Sequence, residues 1–327
     1  MRQSSMAILI TCLAAVCPAA TVAQEASGQV PARIEAFVTV RDGTRLFFTR
    51  GGSGSDVLVV PVGFYLEPQL FDALSEHRRV VFYDPRNRGR SRRADLSTVS
   101  LDRQVQDLED LRQALGIRQM ALLGWSGLGM EMAVYALRYP NRVTRLIQMA
   151  AVPPAASVMR DAGGDARNQR VDEAAIDALV ARAEAGAFDD AGDEYCRQYN
   201  ALLAPSNFAD PAFIDQVPDV CVYENEWPEN LWPYFGALLP SFGDYDWRDD
   251  LGRLDIPRLV IHGREDGIPL AGAEAWVSGY ENARLLVVSP AGHFPHIEQR
   301  DIVIDAINTF LDGEWPTGAV TLDSAYE

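Results

Sequence analysis

Gly124-Trp125-Ser126-Gly127-Leu128-Gly129 is the stretch on which the reading of this chain turns. The apolar run at residues 120–123 precedes it, and residues 130–137 continue it with helical composition. A serine on a glycine-flanked turn between strand and helix is a nucleophile elbow. Such a turn is tight and strained, so small neighbours are needed around the serine. It lifts the hydroxyl above the sheet and aims the Gly127 N–H at a developing oxyanion. Serine is a poor nucleophile without a base, so a histidine and an acid are expected downstream.

Both follow. Residues 258–261 read as a strand, and His262-Gly263-Arg264-Glu265-Asp266 leaves its end. Residues 285–288 form the next strand, followed by Ser289-Pro290-Ala291-Gly292-His293-Phe294-Pro295-His296-Ile297-Glu298. The chain order Ser126, Asp266, His293 is nucleophile, acid, base. Of the four histidines, His77 precedes a core strand and reads as surface. His262 beside Gly263 reads as packing or bonding backbone, and His296 as loop support. His293, after the last strand, is the expected base. Its partner acid holds the tautomer and stabilises the imidazolium. Asp266 is placed for that, with Glu265 as its neighbour and rival.

These motifs resemble the α/β-hydrolase-fold enzymes. HGREDGIP and AGHFPHIEQ look like their acid and histidine loops, and VVFYDPRNRGRS resembles their D-x-R-G-x-G-x-S turn. The resemblance covers most of residues 34–150 and 251–312. It implies a mostly parallel sheet flanked by helices, and it favours Asp266 over Glu265. It also implies a second oxyanion donor in the loop after residues 57–60. The family usually has His-Gly there; this chain has Pro61-Val62-Gly63-Phe64-Tyr65, so the donor is the N–H of Gly63 or Phe64. Two further departures are Leu128, where the elbow has a small residue, and Asn87, where the turn has glycine. Arg86, Arg88, Arg90, Arg92 and Arg93 form a basic run there, which reads as a solvated turn with salt bridges.

The rest of the pattern agrees with alternating strands and helices. Residues 36–40 and 45–49 form a hairpin around Asp42-Gly43. Residues 57–60 and 80–83 are buried strands, with a short helix at 69–76 between them. Residues 101–115 are an amphipathic helix with Leu101, Val105, Leu108, Leu111 and Leu115 at helical spacing. Residues 143–149 form the strand after the elbow helix. From 152 to 250 no buried strand is visible, and helices are expected at 171–185 and 192–203. The expected division is core at 32–151 and 251–314, a mainly helical cap at 152–250, and a tail at 315–327.

Residues 1–23 read as a signal peptide: Arg2, an apolar run at 6–16 too short to span a bilayer, and small residues at Thr21-Val22-Ala23. The expectation is a periplasmic or secreted protein with no membrane association after cleavage. Of the four cysteines, Cys196 and Cys221 remain, either as one disulfide or as two buried thiols. The net charge of −17 argues against nucleic-acid partners and anionic membrane. The oligomeric state is open.

Other chemistries are weighed by residue type. A dehalogenase or epoxide hydrolase of this fold has an aspartate nucleophile, and position 126 is serine. No Cys, His or Asp cluster at ligand spacing suggests a metal. Gly51-Gly52-Ser53-Gly54 lacks dinucleotide spacing, and no cofactor is expected. The cap is rich in aromatics, among them Tyr195, Tyr199, Phe208, Tyr223, Trp227, Trp232, Tyr234 and Phe235, and in acids. Tyr65, Trp125 and Trp227 are candidates for a substrate pocket, with Glu224 and Glu226 to hold a free α-amine. That combination looks like the proline iminopeptidases, which implies a small-molecule or short-peptide substrate. A carboxylesterase or lactonase is the alternative, and a non-catalytic ligand-binding protein of this fold a more distant one.

Overall fold

The computed structural model describes residues 33–161 and 170–322. The expected signal peptide and the end of the tail lie outside the described residues. The hairpin pairs β1 (Ile34–Thr39) with β2 (Arg45–Gly51) antiparallel. Gly43 turns it at φ 89°, and Asp42 Oδ1 accepts the Thr44 N–H at 3.0 Å. The turn uses both residues for their local chemistry.

The sheet continues with β3 (Val57–Pro61), β4 (Arg79–Tyr83), β5 (Met120–Trp125), β6 (Val143–Met149), β7 (Arg258–Gly263) and β8 (Ala283–Val288). Its order is β1-β2-β4-β3-β5-β6-β7-β8. β2 runs antiparallel to both neighbours, and the pairs from β4 to β8 are parallel. β3, β5 and β7 are buried at every residue. This is why they read as unbroken apolar runs: helices cover both faces.

The helices of the first half are α1 (Gly63–Ser75), α2 (Leu101–Ala114) and α3 (Gly127–Arg138). α2 begins at an N-cap, Ser100 Oγ accepting the Arg103 N–H at 3.2 Å, and buries Leu101, Val105, Leu108 and Leu111. α1 starts six residues before the expected position. Val62 takes a left-handed conformation (φ 54°, ψ 50°), and the helix follows with no intervening loop. Pro68 within it suggests a break, yet Phe64, Leu66, Leu70 and Phe71 bury one continuous face. Tertiary burial outweighs local propensity here.

Between β6 and β7 lie α4 (Ala156–Asp161), α5 (Glu173–Glu184), α6 (Gly192–Asn207), α7 (Pro228–Leu238) and α8 (Arg248–Leu251). Among the described residues this insertion adds no strand to the sheet. A disulfide joins Cys196 of α6 to Cys221. After β7 come α9 (Leu270–Ala275), α10 (Pro295–Glu298) and α11 (Arg300–Leu311).

The arginine run forms the expected salt bridges and Arg92 and Arg93 are exposed, but Arg86 and Arg88 are buried rather than solvated. Arg86 is wholly buried and donates to Asp107 at 2.6 and 2.7 Å and to Asp42 at 3.0 Å. Arg88 is buried against Glu226 and Arg90 bonds Asp84. A buried guanidinium must be paired; Asp107 and Glu226 come from elsewhere in the chain, and Asp84 from the same turn. Asn87, in the glycine position, adopts φ 59°, a region asparagine tolerates.

Candidate active site

β5 ends at Trp125 and α3 begins at Gly127, so Ser126 alone makes the turn. Its backbone sits at φ 57°, ψ −132°, which an L-residue adopts only under strain. Three bonds hold it: Ser126 N–H donates to Met149 O at 3.0 Å, and Ser126 O accepts from Gly129 at 3.1 Å and Val152 at 3.3 Å. The demand for small residues falls on Gly124 and Gly129. A Cβ on Gly124 would lie 2.6 Å from Gly129 Cα, and one on Gly129 would lie 2.3 Å from Gln148 Oε1. A Cβ on Gly127 would meet nothing within 4 Å. Leu128 lines the cavity described below, so the tight position is the third after the serine.

The loops after β7 and β8 bring two more groups to this turn. His293 Nε2 is 3.0 Å from Ser126 Oγ. Its Nδ1 is 2.9 Å from Asp266 Oδ2 and 3.2 Å from Oδ1. Asp266 also accepts the Ile268 N–H at 2.9 Å. Burial opposes its charge, but His293 and the Ile268 bond hold the carboxyl below its ordinary value. An ionised Asp266 assigns the proton to Nδ1 and leaves the Nε2 lone pair facing Ser126.

The rival residues have other work. Glu265 does not meet His293; it accepts from Ser289 Oγ at 2.9 Å and Ala291 N at 2.8 Å. His262 Nε2 meets Ile268 O at 3.1 Å, His296 is wholly buried, and His77 is exposed. Three supports escaped the sequence reading. Glu298 accepts from Gly292 at 2.6 Å and from Ala209 at 2.8 Å. Asn207 O accepts the His293 N–H at 2.8 Å, and the Trp125 indole donates to His293 O at 2.9 Å. The histidine loop is thus pinned to β5 and to the end of α6. Only Glu298, inside the HIEQ stretch, carried a local signal.

Gly127 and Gly63 are the first residues of α3 and α1, where a helix has no internal acceptor for the N–H. The Phe64 N–H already donates to Asp84 Oδ1 at 3.3 Å.

Ser126 and His293 open on a cavity of about 570 Å³. Val62, Tyr65, Trp125 and Leu128 line it from the core, and Tyr199, Trp232, Tyr234 and Phe235 from the insertion. Glu226 reaches it, but its oxygens accept from Arg88 Nε and Nη2 at 2.9 Å each and from Gly89 N at 2.8 Å. Glu224 does not reach it: its side chain is 66% exposed and pairs with Arg93 at 3.2 Å. Trp227 also stands apart. Its indole donates to Cys221 O at 2.7 Å, and its ring covers Gly192. Both are corrections to the expected pocket. Glu224 sits in a surface turn, and Trp227 is spent on packing the insertion.

Known proteins match this architecture. The chain is 29% identical over 289 residues to a non-heme haloperoxidase of Rhodococcus erythropolis, covering 84% of this chain and 99% of that protein. It is 24% identical over 248 residues to a proline iminopeptidase of Lactobacillus helveticus, covering 73% and 82%. An esterase from Exiguobacterium antarcticum superposes with TM-score 0.64 at 20% identity, over 86% of this chain and 100% of that one, a likeness of fold. The family described as alpha/beta hydrolase fold matches residues 46–299. The eight-stranded sheet, the elbow at the end of β5 and this match agree: the chain belongs to the alpha/beta hydrolase fold family.

Proposed function

We propose that this protein is a serine hydrolase that cleaves carboxylic esters through an acyl-enzyme. The observation that carries it is the Ser126–His293–Asp266 chain of contacts, 3.0 and 2.9 Å, at an aromatic cavity. Ser126 Oγ attacks the carbonyl while His293 Nε2 takes its proton, and Asp266 stabilises the imidazolium. The oxyanion is held by the Gly127 N–H and by that of Gly63, since Phe64 is committed to Asp84. His293 then gives its proton to the leaving oxygen. Water, activated by the same histidine, releases the acid. The insertion acts as a cap supplying the aromatic roof.

An uncharged ester fits this cavity better than a free amine. Glu224 is outside it, and Glu226 is neutralised by Arg88. Aminopeptidase action is the second reading, favoured by the likeness to the proline iminopeptidase. Turnover of p-nitrophenyl esters against unblocked and N-acylated prolyl p-nitroanilides decides between them. Ester cleavage that dominates in wild type and disappears in Ser126→Ala supports the proposal. Dominant cleavage of the unblocked prolyl anilide overturns it.

We also infer export. The apolar run at residues 6–16 and the Cys196–Cys221 bond both support an oxidising compartment. Intact mass of the exported protein should begin near Gln24; retention of Met1 in the exported form contradicts this.

A further inference from the structure

The cavity over Ser126 contains an apolar track that the mechanism above does not use. Pro228, Leu231, Trp232, Phe235, Leu238 and Leu239 all line it. Their spacing of three and four residues puts them on one face of α7, which Leu239 extends in helical conformation. At about 1.5 Å per residue, this face runs roughly 16 Å from Pro228 to Leu239. Glu229, exposed, lies off it. Pro228 is buried, two residues after Glu226, whereas Trp232 is 48% exposed and Leu239 57% exposed. These two side chains therefore stand at the rim, lining the cavity and meeting water at once. The Trp232 ring is held there edge-on to Tyr199 of α6, centroids 6.1 Å apart, and lies 5.9 Å from Phe235.

Single exposed apolar side chains are ordinary, but this pair belongs to one stripe and opens into the cavity that holds the nucleophile. The charged groups of the cavity are engaged away from the track. Arg88 and Glu226 bind each other, and the Glu131 carboxyl meets the Gln104 amide at 2.8 and 3.0 Å. A charged substrate arm laid along α7 would lose its water and find no partner. An acetyl group would fill a small part of the cavity's 570 Å³, which is the size of space that encloses a far larger ligand.

Resting on the ester-hydrolase reading, we propose that the substrates are esters with one long, uncharged apolar arm, acyl or alkoxy, which lies along α7 and leaves the cavity over a lip made by Trp232 and Leu239. Selection then comes from apolar area removed from water in the transition state. Each methylene laid on the track raises kcat/KM by up to about fourfold. The gain ends where the arm passes the lip, because further carbons return to water.

Two chain-length series test this, each kept below the concentration at which the esters aggregate. p-Nitrophenyl butyrate and octanoate report an acyl arm, and butyl and octyl acetate, followed by acid release, report an alkoxy arm. In one of the series wild type should prefer the longer ester by at least about tenfold in kcat/KM. In the double variant Trp232→Ser, Leu239→Ser that preference should fall at least about fivefold, with far-UV circular dichroism that of wild type. Equal rates for short and long esters in both series overturn the proposal without any variant. So does a preference that the double variant leaves unchanged, which places the arm away from the lip. Binding of methyl butyrate and methyl octanoate to Ser126→Ala, read by calorimetry, gives the same comparison without turnover. If no ester is hydrolysed, the ester-hydrolase reading fails, and the ratio of those dissociation constants, with and without the lip substitutions, still decides on the track.

Discussion

Replacing Glu226 by Gln separates a structural role from an amine-binding one. Glu226 is 2% exposed and accepts three bonds, at 2.9, 2.9 and 2.8 Å, from Arg88 and Gly89. Arg88 follows β4 in the core and Glu226 precedes α7 in the insertion, so the pair ties the cap to the sheet. Glutamine keeps a single acceptor oxygen and adds a donor that faces donors. Arg88 is then left buried with its charge uncompensated. Breaking a buried pair from one side costs about 3–5 kcal/mol. The retained acceptor puts the expectation at the low end, about 3 kcal/mol, or a fall of about 1 M in the urea midpoint. Urea unfolding followed by intrinsic fluorescence measures it. Removing both charges, Arg88→Met with Glu226→Met, should cost less than Glu226→Gln alone. In Glu226→Gln, turnover of neutral esters and unblocked amides should fall together. An unchanged midpoint, with activity lost only on unblocked amines, would refute this reasoning and make Glu226 the amine anchor.

Asp266→Asn should lower kcat by about 10⁴, a magnitude typical of a triad that loses its tautomer control, while far-UV circular dichroism stays that of wild type. A loss under tenfold means that another acid serves His293. Acid stability should depend on Glu109. The Arg112 bond, working against burial and aided by Gln113 and Tyr135, holds its carboxyl at about 2. The folded value lies below the unfolded one, so this stability is present above about pH 4 and lost as pH falls toward 2. Thermal unfolding between pH 5 and 2.5 should therefore show a shallower fall for Glu109→Gln than for wild type. Parallel curves would contradict the assignment.

What could be read in the sequence depended on whether the constraint was local. Ser126 was visible because the elbow needs glycine nearby, and His293 because its loop follows a strand. The tight position, Gly129, was misplaced by one residue, since which neighbour presses on the turn is set by Gln148 and Ala151 across the sheet. Arg86 and Arg88 read as solvated because their carboxylates, Asp107 and Glu226, lie 21 and 138 residues away. Glu224 and Glu226 are two residues apart and looked equivalent. A short helical turn points one to solvent and the other into the cavity. Glu131 drew no notice, because only α2 and α7 folded against α3 show that it faces a pocket.

The nucleophile is the central claim, and covalent labelling tests it most directly. A fluorophosphonate reacts with a serine that a neighbouring histidine activates. Incubated with the native protein and mapped by peptide mass spectrometry, it should modify Ser126 at one equivalent per chain, in step with loss of ester turnover. Ser126→Ala and His293→Ala should take up none. Label on another residue, or undiminished turnover once Ser126 is modified, would contradict the account.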